Sequence, residues 1–502
     1  MNIFDAIAEA AAAHPQRVAL VAGTQAYSYQ GLVRITGVMA QRLWDAGVKA
    51  GDVVVLRSTD PCSLLLQTLA LARLGAISLA TVLTEGLDSL LPRCGATAAI
   101  CGSSASRAGL PAQLPVLDEA ALLAPVPTAG PDFASCDLAE DAGWRIALSS
   151  GTTGQTKAMR WTHGGSRAYA QSLDEAAAPL GGHDRVLVFA DVGSAYAMHR
   201  ILHTLARGAA LLLPANPAPA ELVRCLDLYG ATQLVTVVSL ALQLLRHVQA
   251  SGDSAAPRFP SLAQMLVAGE AISPALRAAL RSHICPQLRL SYGASECGPI
   301  AIADAALQIA QPRAAGRLRP GCAVQVLGPQ GQALPAGQVG TLRVRTPGMV
   351  QAYLGDAEQS ARVFRDGWYL TGDRGHIDAQ GVLHLGARVE DCLLLQGALL
   401  DPMAIEAVIE ALPGVHEVVV FLAQRPGAPA TPPALVLAAL YVAAVPLAAD
   451  SVRAHCAAQL PLAQQPVLLV QVPELPRTAN GKLSRRDLTL RLRWDATAPA
   501  AA

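Results

Sequence analysis

The sequence predicts an α/β protein: a large N-terminal domain of helix-covered sheets with a small β-barrel-like subdomain, followed by a small α+β C-terminal domain. Three observations predict it. From Val53 to Tyr292, apolar strand, helix and glycine stop recur in that order. Between Gly316 and Leu385 the pattern becomes short alternating strands separated by glycine and proline turns. Beyond about Val389 it changes again, to a compact mixture of helices and strands, and a chain of 502 residues is in any case too long for one ordinary core.

The elements follow in chain order. Residues Met1 to Arg17 read as an amphipathic helix capped by Asn2 and buried through Ile3, Phe4 and Ile7; with Asp5 and Glu9 and no basic start, the segment does not read as a signal peptide. A strand at Val53 to Leu56, a helix from about Ser63 to Leu74, a stop at Gly75 and an apolar run to Val82 form the first strand-helix-strand unit. The unit recurs at Val186 to Phe189 with Ala209 to Leu213, at a helix stopped by Gly230 with Leu234 to Val238, and at Gln264 to Ala268, a helix opened by Ser273 and Pro274, and Leu288 to Tyr292. Such alternation predicts largely parallel sheets. Thr341 to Arg345 typifies the β-rich stretch, placed at about 316–385. A helix at Pro402 to Glu410, strands near Val415 to Leu422 and Ala434 to Val445, a helix after Asp450 and a strand near Val467 to Val472 make the last unit. The expected boundary lies near Glu390, dividing the chain into 1–389 and 390–502.

Composition excludes several classes of function. The 38 basic and 38 acidic residues cancel, which gives no electrostatic reason to expect nucleic acid or an anionic membrane as partner, so any anion must be held locally. The longest apolar run, Ala434 to Val445, is well short of the about 20 residues a membrane span needs. The ten cysteines show no C-x-x-C pair, as expected for free thiols in a reducing cytoplasm. No tandem repeat is present, and low complexity is confined to the Ala/Pro tail after Trp494.

The sharpest local feature is Ser149-Ser-Gly-Thr-Thr-Gly-Gln-Thr-Lys157, directly after the apolar Ile146-Ala-Leu148. Its glycines let backbone N–H groups turn toward an anion, its hydroxyls add donors, and Lys157 supplies a point charge. It is not a Walker A loop, because two residues rather than four separate Gly151 from Gly154 and no Gly-Lys-Ser/Thr follows. By itself it reads equally well as a phosphate cradle or a polar turn.

Four further segments follow in a telling order: Tyr292-Gly-Ala-Ser-Glu296, Tyr369-Leu-Thr-Gly-Asp373, Arg388 to Glu406, and Pro476-Arg-Thr-Ala-Asn-Gly-Lys482. Together with the loop they resemble the adenylate-forming superfamily of acyl- and aryl-CoA ligases, peptide-synthetase adenylation domains and luciferase. The resemblance spans nearly the whole chain. It implies an ATP- and Mg²⁺-dependent enzyme that joins a small carboxylic acid to AMP with release of pyrophosphate, then passes the acyl group to the thiol of coenzyme A or of an acyl or peptidyl carrier protein. That chemistry needs phosphate charge neutralised, the nucleotide held in line and the leaving group stabilised.

Residue by residue, the resemblance assigns the phosphates to Ser149, Ser150, Gly151, Thr152, Thr153, Gly154 and Lys157, with Thr153 among the catalytic groups. Glu296 becomes the Mg²⁺ ligand and a catalytic residue. Gly269 and Glu270, with Tyr292, Gly293, Ala294 and Ser295, line the nucleotide and acyl group, Asp373 accepts from the ribose hydroxyls, and Arg388 reaches the ribose region. Lys482 bridges the attacking carboxylate and the α-phosphate. Taken alone, Glu296 reads as a surface strand-end acid, Asp373 as an ordinary turn residue and Lys482 as a solvated lysine.

The resemblance also implies a mobile C-terminal domain that rotates about a hinge between half-reactions, with Glu390 where relatives usually carry aspartate. Other departures are Ala387 for the usual glycine, and Leu394 and Leu399 where relatives often carry lysine and arginine. The stretch Cys392 to Leu400 is therefore unusually apolar, which weighs against free coenzyme A. The acyl pocket is expected around Phe189, Gly193, Ser194, Ala195, His199 and Gly293. Ala195 falls where amino-acid-activating relatives place an aspartate, with Asp191 four residues away, which favours an aryl or short acyl acid without an α-amine. His199 and His203, four apart on a helix, have zinc-like spacing but no third ligand, and core or pocket-wall roles suit them better. The alternatives left open are an amino-acid-adenylating or amide-forming ligase, a non-catalytic nucleotide-binding relative, and a light-emitting oxygenase.

Overall fold

The structure, a computed structural model, describes residues 2–125, 133–150, 156–176, 180–252, 257–424, 435–477, 483, 485 and 488–489. A six-stranded sheet runs in the order Val116–Asp118, Ala96–Cys101, Val53–Leu56, Ile77–Ala80, Gly143–Ser150 and Thr156–Thr162, parallel except for the last pair. Its strand Val53–Leu56 is buried at every position, which is why it reads Val-Val-Val-Leu without alternation. The following helix, Pro61–Leu74, starts where the Asp60 carboxylate accepts from the Ser63 N–H at 2.8 Å, with Pro61 in its first turn, and stops at Gly75, whose φ of 78° suits glycine. It is buried almost all round and packs across the chain's largest apolar core.

A fourteen-stranded sheet carries the rest of the N-terminal region. Its parallel centre is Ala210–Leu213, Arg185–Phe189, Gln233–Val237, Gln264–Ala268 and Leu288–Ala294. Antiparallel strands then extend it through Gly298–Ala303, Gly316–Leu318, Val382–Arg388, Trp368–Ile377, Gly340–Arg345 and Ala323–Leu327. The β-rich stretch therefore continues the main sheet instead of closing on itself: Gly316–Leu318 bonds Gly298–Ala303 on one side and Val382–Arg388 on the other.

The C-terminal strands Val415–Gln424, Leu435–Ala443 and Leu468–Gln471 form a separate three-stranded sheet, whose core includes Ile405 and Ile409 of the helix Pro402–Glu410 and Val452 and Cys456 of the helix Ala449–Gln459. Ahead of it, Leu393–Leu395 and Ala398–Leu400 form a hairpin whose turn residues Gln396 and Gly397 have φ of 51° and 80°. Leu393 and Leu400 enter the small core, while the facing pair Leu394 and Leu399 is exposed, at 65% and 57%.

The first helix is shorter than the expected segment. It spans Asp5–Ala13, and Asn2 lies ahead of it, buried, with its amide donating to Ala72 O at 2.6 Å. Asn2 also caps the helix start: its Oδ1 accepts from Phe4 N at 3.0 Å and its own N–H donates to Asp5 Oδ2 at 2.7 Å, while its amide N–H₂ ties the chain start to the helix Pro61–Leu74. Ile3, Phe4 and Ile7 are buried as expected, and all ten cysteines are free thiols.

Candidate active site

The parallel strands of the main sheet end together at Val237, Ala268 and Ala294, the edge at which ligands bind in open α/β sheets. At this edge three sequence-predicted residues from separate segments meet. The Tyr292 hydroxyl donates to Asp373 Oδ2 at 2.5 Å, and Arg388 Nε donates to Asp373 Oδ1 at 3.0 Å. The sheet itself makes the second contact, because Asp373 and Arg388 are register partners on neighbouring strands. The tight turn at Gly372, φ 78°, lets the Asp373 N–H meet Thr371 Oγ1 at 3.0 Å. Burial and the Asp373 charge hold the Tyr292 phenol well above its usual range, so it stays a donor. Burial alone would lower the Arg388 guanidinium, but Asp373 and Glu390 raise it on balance, and Glu390 lies 3.7 Å from Arg388 Nη1.

Gly293 has a steric requirement: a Cβ there would fall 2.3 Å from Gly298 O, at the bulge that turns the strand after Tyr292. Ala294 and Ser295 follow, half-buried, and lead into Glu296. Glu296 is buried and accepts from the Tyr353 hydroxyl at 2.8 Å, while its carbonyl accepts from Val350 N at 2.9 Å. Lys157 Nζ stands 5.1 Å from the centre of the Tyr353 ring. Tyr353 thus links the phosphate-loop lysine to the predicted metal ligand. Burial first and the Glu296 charge second keep the phenols of Tyr353 and Tyr369 protonated. Sequence reasoning missed Tyr353. It lies 57 residues from Glu296, in a stretch with no motif of its own, and only the antiparallel bridge of Tyr353 to Met159 brings it beside the loop.

The loop stands at the end of a hairpin in which Ser149 pairs with Lys157 and Ser150 with Thr156. Its tip, with Gly151, Thr152, Thr153 and Gly154, lies outside the described residues, as does Lys482. Arg485, three residues after Lys482, is tied to the small domain by Nη2 bonds to Glu406 at 2.7 and 2.9 Å and an Nε bond to Val420 O at 3.1 Å. Gly269 adopts a φ of 115°, and the next residue, Glu270, accepts from Arg477 Nη1 at 3.1 Å. Ser273 Oγ to His416 O at 2.5 Å, Arg246 to Glu474 at 3.1 Å and Arg313 to Glu410 at 2.7 Å are further contacts between the two regions.

The expected acyl pocket needs two corrections. Phe189 alternates with Val188 along its strand, so it joins Leu187 in the core beneath helices Pro219–Tyr229 and Val238–Ala250, on the face away from the helix Ala195–Ala206. His199 is buried among Trp144, Trp161 and Tyr169, with ring centroids 4.4 Å from Trp161 and 4.2 Å from Tyr169. Its Nδ1–H donates to Ala195 O at 2.8 Å, and its Nε2 accepts from Ser166 Oγ at 3.0 Å, which itself accepts from Trp144 Nε1 at 2.8 Å. With both nitrogens engaged it is a core histidine, pushed down to about 3 by burial. No cluster of three metal-binding side chains occurs among the described residues.

Gly193, Ser194 and Ala195 remain at the start of that helix. Ser194 caps it by accepting from Ala197 N at 3.1 Å and donates to Asp191 O at 2.7 Å. Asp191 Oδ1 accepts from Gly193 N at 2.8 Å, so this acid shapes the turn. The buried Arg145 guanidinium donates to Gly193 O. Burial lowers it to about 10, against the opposing pull of Asp191.

The helix-covered sheets and the meeting of tyrosine, carboxylate and arginine from separate segments at the edge of the main sheet are those of an α/β enzyme. The chain belongs to the AMP-binding enzyme family, whose profile matches residues 7–354. It is 29% identical over 487 residues, covering 94% of this chain and 95% of the relative, to the 2-succinylbenzoate–CoA ligase of Geobacillus kaustophilus. It is 27% identical over 350 residues to the 3-hydroxybenzoate–CoA ligase of Aromatoleum sp., covering 67% and 64% of the two chains. Among solved structures, the O-succinylbenzoate coenzyme A synthetase of Bacillus subtilis in complex with AMP superposes with a TM-score of 0.81 at 21% identity, covering 96% of this chain and 97% of the other. That likeness establishes the fold.

Proposed function

We propose that this chain activates a small carboxylic acid with ATP as the acyl-adenylate, releasing pyrophosphate, and then transfers the acyl group to a thiol, coenzyme A in the first instance. The observation that carries the reading is the meeting of Tyr292, Asp373 and Arg388, three residues from separate motifs, at one carboxylate. Each carboxylate oxygen has two acceptor sites, so Asp373 can hold its protein partners and still accept from the two ribose hydroxyls. Glu296 is a hard, buried oxygen ligand with one acceptor position used by Tyr353. One carboxylate of this kind suits Mg²⁺, which takes its remaining ligands from phosphates and water and, when bound, neutralises phosphate charge. Lys157 adds charge on the phosphate side, and Lys482 supports the in-line attack by pairing with the acid's carboxylate. The names of the relatives support a coenzyme A ligase acting on aryl acids.

A carrier-protein thiol is the second reading, favoured by the exposed Leu394–Leu399 pair in the hairpin that relatives make basic. One experiment covers both. The purified enzyme is offered ATP, Mg²⁺ and a panel of aryl, short-chain and amino acids, with and without coenzyme A. Acid-dependent pyrophosphate exchange and acyl-CoA are the expected products; adenylate that accumulates without thioester points to a carrier. Absence of exchange across the panel refutes the reading.

A further inference from the structure

The strand Thr156–Thr162 lies at the outer edge of the six-stranded sheet, where alternate backbone carbonyls face away from the neighbouring strand and need other partners. Two of them, on either side of Lys157, are answered from outside the sheet. Thr156 O accepts from Arg93 Nη2 at 2.9 Å, and Ala158 O accepts from Leu354 N at 2.8 Å. Arg93 stands half-buried in the last turn of the helix Leu87–Cys94, and its Nε is buried with no partner among the described residues, a cost that argues for a role beyond stability. Gly355 makes the fit possible: with a φ of 65° it passes so close over Arg93 that a Cβ there would fall 2.7 Å from the Arg93 Cβ. Two residues earlier, Tyr353 bridges to Met159, donates to Glu296 and places its ring 5.1 Å from Lys157 Nζ.

We infer that Arg93 is a positioning residue for Lys157, one that sets where the lysine's charge stands relative to the terminal phosphates of ATP. The inference rests on the adenylation reading and deepens it on the pyrophosphate side. A lysine is a point charge on a flexible stem, so it meets a phosphate in a fixed place only if the backbone beneath it is fixed. An edge strand supplies that rigidity on one side alone. Here the missing side is made up by Arg93 just ahead of Lys157, by Leu354 just after it, and by the bridge of Tyr353 to Met159. Consecutive residues 353–355 hold Glu296, the Ala158 carbonyl and the Arg93 stem, so the phosphate-side lysine and the predicted metal ligand are set by one brace. Tyr292, Asp373 and Arg388 stand on the other large sheet and bond one another, so the ribose side is built independently of Arg93.

The test measures the binding of ATP and of AMP by calorimetry with Mg²⁺ present, alongside melting curves, in the wild type, Arg93→Met, Arg93→Lys and Gly355→Ala. Arg93→Met is expected to weaken ATP about tenfold, the equivalent of one net hydrogen bond, while AMP, which lacks the phosphates Lys157 faces, stays within about twofold. Arg93→Lys keeps the charge and a donor and recovers part of the loss. Gly355→Ala pushes the Arg93 stem aside and reproduces the loss with the arginine still present. An AMP affinity that falls in step with ATP assigns Arg93 to the fold as a whole and overturns the inference, as does an ATP affinity unchanged in both Arg93→Met and Gly355→Ala. Should Arg93→Met not fold, Arg93→Lys and Gly355→Ala supply the same ratio of ATP to AMP binding. Absence of acid-dependent pyrophosphate exchange in the wild type overturns the adenylation reading, while the ratio of ATP to AMP binding still decides the role of Arg93.

Discussion

Asp373→Asn separates a nucleotide-binding role from a structural one. In the free protein Oδ2 accepts from Tyr292 and Oδ1 from Arg388, and the carboxylate is buried while Arg388 is half-exposed. An asparagine keeps the shape but offers one acceptor oxygen, and Arg388 would compete for it with the ribose. The loss is one charge-assisted hydrogen bond, about 1.5–3 kcal/mol, which raises KM for ATP by roughly 10- to 150-fold. Fold stability changes far less, because an ion pair with one half-exposed partner contributes about 0–1 kcal/mol, a melting shift of no more than about 4 °C. The assay is pyrophosphate exchange against ATP concentration, with melting curves of both proteins. A KM for ATP within twofold of wild type at an unchanged melting temperature refutes the ribose assignment; a collapse of the melting temperature refutes the claim that Asp373 acts mainly on the nucleotide.

Three other outcomes are expected. Lys482→Ala greatly slows pyrophosphate exchange while ATP binding, measured by calorimetry, stays largely intact; wild-type exchange in the mutant removes Lys482 from the mechanism. Arg477→Ala removes the contact to Glu270 and changes the ratio of adenylation to thioester formation in single-turnover assays, so an unaltered ratio argues against this contact in domain positioning. Burial lowers His199 to about 3 and His163 to about 4 from an ordinary 6.5, so the unfolded chain takes up protons first as pH falls. The stability they confer is complete above 6.5 and is lost progressively toward 4 and then 3. The urea midpoint therefore falls between pH 7.5 and 5, less steeply in His199→Gln, and a midpoint independent of pH contradicts this.

The sequence singled out Tyr292, Asp373 and Arg388, which the fold brings together, because each stands in a locally marked segment. A glycine whose Cβ would strike a carbonyl, as at Gly293, or an aspartate after a left-handed turn, as at Asp373, leaves a short signature in consecutive residues. The helix start at Ser273 and Pro274 was legible for the same reason, whereas the cap at Asp60 was not singled out. The cap by Asn2 was legible, but its second contact, to Ala72 O, was not, because that partner is far along the chain. Tyr353 and the face reversal of Phe189 depend on sheet register, which no single strand's composition specifies. The β-rich stretch looked self-contained because its alternation shows that one face is buried, without showing which strand continues the ladder.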